Sequence, residues 1–128
     1  MAALKEGEFV LLKKYNALLE TIEEAFEYLS DENRNASTPV TRQVVLDSHE
    51  AIGKIAEVHV KLVTLFEKNG EVLQVIAQYS TLLDELEQIG HFDQNTIPEK
   101  EALETYFKPA YENWKNQIQH HILPRITH

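Results

Sequence analysis

Carboxylates spaced three residues apart are the first feature of this sequence that could do chemistry. Such pairs include Glu20 with Glu23, Glu24 with Glu27, Asp84 with Glu87, and Glu101 with Glu104. On a helix this spacing puts two carboxylates on one face, where they could hold a divalent cation. Each pair, however, lies beside or opposite the apolar stripe of its helix and faces solvent. The chain also lacks the Glu-x-x-His motif of di-iron bundles, so we predict no metal site and no cofactor.

His49 is a candidate phosphoryl acceptor, because it faces outward one turn before Gly53 on the second predicted helix. The segment His49-Glu50-Ala51-Ile52-Gly53-Lys54 resembles the phosphorylated segment of histidine-phosphotransfer bundles. In that family a small residue opens access to the histidine ring and a lysine balances the phosphoryl charge. The family usually has lysine three residues after the histidine, where this chain has Ile52, and Lys54 is the nearest substitute. Phosphotransfer through His49 and Lys54 is therefore an alternative to an ordinary surface histidine.

His59 lies on the apolar seam of the second predicted helix. A histidine there is normally a core residue with a hydrogen-bond partner, and antiparallel helices would bring Tyr79 or Tyr15 to its level. His121 also faces inward, on the fourth predicted helix. Roughly 10 Å would separate the two histidines along the bundle axis, which is too far to share a metal ion.

The sequence lacks the residues that other kinds of catalysis require. The chain has no cysteine, which excludes thiol catalysis and iron–sulfur clusters, and it has no glycine-rich phosphate loop or glycine-flanked nucleophile. No window approaches the roughly 18 uncharged apolar residues of a membrane span, and residues 1–10 lack the pattern of a signal peptide. We therefore predict a cytoplasmic protein that is not an enzyme and does not contact membranes.

Apolar residues recur at spacings of three and four along four segments, which predicts four helices. The predicted helices cover residues 8–30, 39–70, 72–90 and 96–124. Asn69-Gly70 is interpreted as the stop of the second helix, and Pro109 is expected to kink or break the fourth helix near Lys108. Short connections make consecutive helices antiparallel. The sequence thus predicts an all-α, up-down-up-down four-helix bundle that forms a single domain over residues 1–128.

Charge is distributed unevenly. The chain carries 21 acidic and 12 basic side chains, and its formal net charge of -9 disfavours nucleic acid as a partner. Many acids fall where the ends of helices 1 and 3 meet the starts of helices 2 and 4. We call this the acidic pole and represent it by Glu23, Glu24, Glu27, Asp31, Glu32, Asp84, Glu85 and Glu87. Acids at helix ends oppose the helix dipole, so the pole either binds a basic segment of another protein or serves solubility.

Two further features could contact a partner. Tyr106, Tyr111 and Trp114 belong to an aromatic group that covers more of the fourth helix than one seam requires. They either fill the space around Pro109 or form a contact face, since Tyr and Trp are enriched in interfaces. Residues 58–66 are apolar on nearly every side, which indicates either deep burial or a surface used for pairing. In both places burial is the simpler interpretation.

These features favour a small protein-interaction module, such as an adaptor, a regulator or a chaperone-like protein. We expect it to bind a protein partner and to exist as a monomer or a homodimer. Histidine phosphotransfer is the alternative function. A metal-dependent enzyme ranks third, because it would need carboxylates that point into the core.

Overall fold

All regular structure in the described residues is helical. The computed structural model describes residues 5–30, 39–90 and 103–126. In chain order its elements are α1 (Glu6–Ser30), α2 (Pro39–Leu65), α3 (Gly70–Gly90), a π-helical turn (Leu103–Phe107) and α4 (Lys108–Ile126). None of the helices in these ranges has both the length and the apolar character needed to cross a bilayer. The predicted all-α class is confirmed.

The apolar stripes of the helices build the core. On α1 the fully buried members are Leu12, Tyr15, Leu19, Ile22, Phe26 and Leu29. On α2 the buried seam includes Val45, Ser48, Ile55, His59 and Leu62. Residues three or four apart return to one face of a helix with 3.6 residues per turn, so each stripe can face its neighbours along its whole length. Full burial of one leucine or phenylalanine side chain contributes roughly 1.5–3 kcal/mol to folding.

Bonds between helices show how the helices are oriented. Gln119, towards the end of α4, donates to the side-chain oxygen of Asn16 on the first half of α1. Lys115, one turn earlier on α4, bonds Glu23, which comes later on α1. Helix α1 packs mainly against α2 and α4, and α4 also packs against α3, whereas α2 and α3 meet over a shorter length. The predicted antiparallel four-helix bundle is therefore confirmed.

The junction between α2 and α3 differs from the prediction. Helix α2 ends at Leu65, and Gly70 opens α3 instead of closing α2. The side-chain oxygen of Asn69 accepts a hydrogen bond from the backbone N–H of Val72, at 3.2 Å. Asparagine is among the best N-cap residues because its side chain satisfies a backbone donor that has no partner inside the helix. Asn69 therefore caps α3, and the prediction that Asn69-Gly70 stops α2 is wrong.

Pro109 lies in the first turn of α4, directly after the π-helical turn. Proline has no N–H to donate and disrupts the turn before it, but it is tolerated in the first turn of a helix, where N–H groups lack intrahelical partners. The preceding π-helical turn absorbs the change in hydrogen-bond spacing. The predicted kink or break near Lys108 is confirmed as a change from π-helical to α-helical structure at this residue.

Candidate functional site

A histidine and three aromatic residues meet at the centre of the bundle. The Nε2 atom of His59 and the hydroxyl of Tyr15 share a hydrogen bond of 2.8 Å, and both residues are buried. The His59 ring lies edge-on to Tyr79 and Trp114, with ring centroids 4.8 and 5.8 Å away. Burial lowers the pKa of His59 to about 4. Tyr15 is thus the partner among the two that the sequence suggested, and His59 is a neutral core residue at physiological pH.

Three buried aromatic side chains donate hydrogen bonds to backbone carbonyls of neighbouring helices. The Tyr79 hydroxyl donates to the carbonyl of Ile52 on α2, at 2.9 Å. The Tyr111 hydroxyl donates to the carbonyl of Leu19 on α1, and the Trp114 indole donates to the carbonyl of Val75 on α3, both at 2.7 Å. Buried polar groups require such partners. These bonds make the donors part of the core scaffold.

The three candidates for an aromatic contact face separate in the structure. Tyr111 and Trp114 are buried, whereas Tyr106 is 53% exposed. Tyr111 and Trp114 therefore follow the alternative in which aromatic residues fill the space beside Pro109. Tyr106, on the π-helical turn, is the one of the three that is accessible to a partner.

Lys115 is buried between α1 and α4 and is paired with two acids. Its amino group bonds the carboxylate of Glu23 and lies 3.1 Å from an oxygen of Glu20. Gln119 also donates to Glu20, at 3.0 Å. The sequence placed Glu20 and Glu23 on a solvated face, but both are half-buried. Glu23 belongs to the acidic pole, so the Lys115 cation reduces the negative charge of the pole.

Electrostatics keep this group ionised. The hydrogen bonds from Gln119 and Lys115 hold the pKa of Glu20 below its ordinary value, against the opposing effect of burial. Burial by itself would lower the pKa of Lys115, but its hydrogen bonds to Glu23 and Glu20 outweigh that effect and raise it. Glu20 and Lys115 therefore stay charged across the physiological pH range. This cluster is an internal ion pair that fastens α4 to α1.

A trio of carboxylates adjoins the ion pair. Glu23, Glu27 and Glu112 each bring an oxygen within 4.8 Å of the others, which is a spacing that a divalent cation could bridge. Glu23, however, already bonds Lys115, whose ammonium group supplies the positive charge there. Exposed acidic groups commonly cluster without an ion. The trio does not by itself define a metal centre.

Most acids of the acidic pole that the structure describes are open to solvent. Glu24, Glu27, Asp84 and Glu85 are exposed, and Glu23 is half-buried. Asp31, Glu32 and the side chain of Glu87 lie outside the described residues. The pole thus presents accessible carboxylates on α1 and α3, on two sides of the bundle.

A groove between α3 and the start of α4 combines apolar surface with these charges. It encloses a cavity of about 390 Å³. Its lining residues are Leu82, Glu85, Thr105, Tyr106, Phe107, Pro109, Ala110 and Asn113. Leu82 and Phe107 are buried and form an apolar base, whereas Glu85 and Tyr106 are exposed. We call this the α3–α4 groove.

A shallower groove lies between α1 and α2 at the same end of the bundle. Its volume is about 220 Å³, and it is lined by Thr21, Glu24, Ala25, Tyr28, Val44 and Asp47. Two exposed carboxylates again border apolar and aromatic side chains. Apolar surface next to carboxylates therefore occurs on both sides of the acidic pole. This combination accommodates a ligand that carries both aliphatic and cationic groups.

The candidate phosphotransfer residues occupy the outer part of α2. His49 is half-buried, and Gly53 is exposed with open space where a Cβ would lie. Lys54 forms an ion pair with Glu50 at 2.9 Å, and both of these side chains are more than half exposed. Glu50 therefore competes with any anion for Lys54. Phosphotransfer through His49 stays a prediction that this arrangement does not strengthen.

Residues 58–66, which are apolar on nearly every side, split between core and surface. His59, Leu62 and Phe66 are buried, whereas Val60 and Val63 are 72% and 46% exposed. The segment thus combines the two features that the sequence left open, burial and an exposed apolar surface. One side completes the core, and the other adds apolar side chains to the outer surface of α2.

The described residues define a four-helix bundle with a closed aromatic core and an acidic, grooved end. Residues 10–117 match the family model described as Domain of unknown function (DUF8042), and the chain belongs to this family. The match runs from the first turns of α1 to the middle of α4. No curated protein and no solved structure matches the chain. Function must therefore be argued from the geometry and charge of the surface.

Proposed function

We propose that this protein is a small interaction module that binds a basic, amphipathic segment of a partner protein at its acidic pole. The observation that carries the proposal is the α3–α4 groove, in which the exposed Tyr106 and the carboxylate of Glu85 border the buried side chains of Leu82 and Phe107. Groove, aromatic residue and charge occur together there. This supports a protein-binding role over a catalytic one.

The chemistry of the groove indicates the kind of partner. Lysine and arginine carry a long aliphatic stem and a cationic end, so the stem can lie on apolar surface while the charge meets a carboxylate. A cation over the ring of Tyr106 would add roughly 0.5–1 kcal/mol at an exposed site. Leucine-like side chains on the same segment could cover the apolar base. A basic amphipathic helix offers all of these groups on one face.

Long-range attraction supports the same partner. The chain has a net charge of -9, and Glu24, Glu27, Asp84 and Glu85 expose their carboxylates near the two grooves. Opposite charges steer association and raise its rate, and salt screens this effect over about 8 Å at physiological ionic strength. Binding at the pole should therefore weaken as salt is added.

The experiment uses fluorescence anisotropy with a labelled synthetic helix of leucine and lysine, and with its leucine and glutamate counterpart as the control peptide. We expect the lysine peptide alone to bind, more tightly at low salt. Glu85→Lys and Tyr106→Ala should each weaken binding about tenfold. Glu71→Lys is the matched control, because Glu71 is exposed at the opposite end of α3.

Two results would overturn the proposal. One is the absence of binding to the lysine peptide at low salt. The other is an equal loss of affinity in Glu85→Lys and Glu71→Lys, because this would show attraction to net charge without a site. Tyr106→Ala further distinguishes binding at the groove from attraction to net charge, since this substitution leaves the charge unchanged.

A further inference from the structure

Helix α2 carries a second stripe that the core does not use. Its members are Leu46, His49, Gly53, Ala56, Val60 and Val63, which we call the α2 row. Successive members are three, four, three, four and three residues apart, which is the spacing of the contact positions in paired helices. Five members are exposed and His49 is half-buried. In the part of the chain that the structure describes, the row is therefore a largely exposed face along most of α2.

Exposed apolar side chains concentrate on this row. Val60 is the most exposed large apolar residue among those described, and Leu46 and Val63 are each nearly half exposed. Gly53 and Ala56 lie between them and keep the middle of the row flat. A Cβ added at Gly53 would meet nothing within 4 Å. Large contact side chains at the ends and small ones in the middle allow another helix to approach closely along the whole row.

We propose that the α2 row is a homodimer interface, in which α2 packs antiparallel against α2 of a second copy about a two-fold axis. Under this symmetry residues whose numbers add to 109 face each other. Leu46 then meets Val63 of the second copy, and Gly53 meets Ala56. The row is thus complementary to itself in size, as an isologous interface requires.

Charges at the ends of the row support the same pairing. Arg42 lies one turn before Leu46 on α2, and Glu67 lies in the turn that follows α2, four residues after Val63, and both are exposed. Their numbers also add to 109, so each copy would place Arg42 against Glu67 of the other. A parallel pair would instead set Arg42 against Arg42 and Glu67 against Glu67. Antiparallel pairing therefore converts like-charge repulsion into two ion pairs.

The side of the row repeats this complementarity. Glu50 and Glu57 flank the row, and Lys54 and Lys61 follow each of them by one turn. The two-fold axis brings Glu50 to about the level of Lys61 of the second copy, and Glu57 to about the level of Lys54. Each helix therefore presents acids where the other presents bases. A second copy of this chain fits the row in both size and charge, independently of the acidic pole and its partner.

The first test measures mass by sedimentation equilibrium of the full chain, at concentrations up to about 1 mM so that weak association is detected. We expect a monomer–dimer equilibrium, and we expect Val60→Glu to weaken it about tenfold or more, because dimerisation would bury a carboxylate. Val40→Glu is the matched control, since Val40 is an exposed valine of α2 outside the row. A purely monomeric chain, or an equal effect of both variants, would overturn the proposal.

The second test addresses the orientation of the helices. Arg42→Glu and Glu67→Arg should each weaken the dimer about tenfold, because two ion pairs become two repulsive contacts. The double variant should recover the affinity of the original chain, since the pairs are then reversed. In a parallel dimer the single variants would leave the affinity unchanged. Failure of the double variant to recover the dimer would equally contradict the antiparallel pairing.

Discussion

The imidazole of His59 on α2 and the hydroxyl of Tyr15 on α1 form a 2.8 Å hydrogen bond inside the apolar centre of the bundle. Burial holds both groups neutral at physiological pH, because it lowers the pKa of His59 to about 4 and raises that of Tyr15. The two helices therefore meet through a polar contact that depends on an uncharged imidazole. Protonation of His59 would put a charge into a core that is otherwise largely apolar.

Lowering the pH should destabilise the protein through His59. The folded-state pKa of about 4 lies below the ordinary value of 6.5, so the unfolded chain takes up this proton first. The contribution of His59 to the free energy of unfolding is then fully present above pH 6.5. It is lost as the pH falls from 6.5 to 4, and the loss is up to about 3 kcal/mol. Urea unfolding followed by circular dichroism at pH 7, 5.5 and 4 measures the change.

The matched variant for this experiment is Tyr15→Phe with His59→Leu, which replaces both partners by apolar side chains and leaves neither group unsatisfied. Its stability should fall less between pH 6.5 and 4 than that of the original chain. His121→Gln replaces a half-buried histidine of α4 and should keep the pH dependence of stability of the original chain. Equal slopes in the double variant and the original chain would rule out His59 as the cause.

Loss of Lys115 should cost more than loss of a surface lysine. Lys115→Met leaves the half-buried carboxylates of Glu20 and Glu23 without their cation. Breaking a fully buried ion pair costs about 3–5 kcal/mol, and the partial exposure of both acids reduces this to about 1–2 kcal/mol. Lys54→Met removes the exposed pair with Glu50 and should change the free energy of unfolding by less than about 0.5 kcal/mol. Chemical denaturation of both variants compares them, and similar losses would contradict the buried role of Lys115.

Removal of the α3 cap should be measurable. Asn69→Ala deletes the acceptor for the backbone N–H of Val72 and should lower the free energy of unfolding by about 1 kcal/mol. Asn69→Asp should retain most of the stability, because a carboxylate accepts the same bond and favours the helix N-terminus. Asn116→Ala, at an exposed position of α4, serves as the control. If Asn69→Asp lost as much as Asn69→Ala, the capping role would be refuted.

Gly53→Ala should stabilise the folded monomer. A Cβ at Gly53 meets nothing within 4 Å, and alanine in a helix interior is favoured over glycine by about 0.5–1 kcal/mol. Thermal unfolding in the Val60→Glu background measures this effect without a contribution from dimerisation. Gly7→Ala, in the first turn of α1, should give a smaller gain. A loss of stability at Gly53 would show that its surroundings are more crowded than the structure indicates.

The elements were largely predictable because their signals are local. The period of Leu12, Tyr15 and Leu19 depends only on helix geometry, and the break before Pro109 depends only on the missing N–H. The sequence also narrowed the partner of His59 to Tyr79 or Tyr15, because a rise of 1.5 Å per residue sets which levels of antiparallel helices meet, and the structure selects Tyr15. Local signals thus predicted the bundle and two candidates for its central contact.

Other features depend on packing that the period does not reveal. Lys115 follows Trp114 directly, and its long stem allows the charge to reach Glu23 on α1. Asn69-Gly70 is compatible with a helix stop and a helix start, and the bond to Val72 decides between them. The α2 row repeats the spacing of the core seam but is mostly exposed. These outcomes depend on tertiary contacts and on the rotation of α2 about its axis, which the spacing of apolar residues does not specify.

The bonds from Tyr79, Tyr111 and Trp114 to backbone carbonyls constrain substitution in this chain in an asymmetric way. A carbonyl oxygen is present whichever side chain its residue carries, so Ile52, Leu19 and Val75 can be exchanged for other apolar residues without removing an acceptor. For these bonds, only the donor side chains must be retained. Three aromatic positions can therefore preserve the axial alignment of the four helices while the residues that they bond change to other apolar side chains that fit the core.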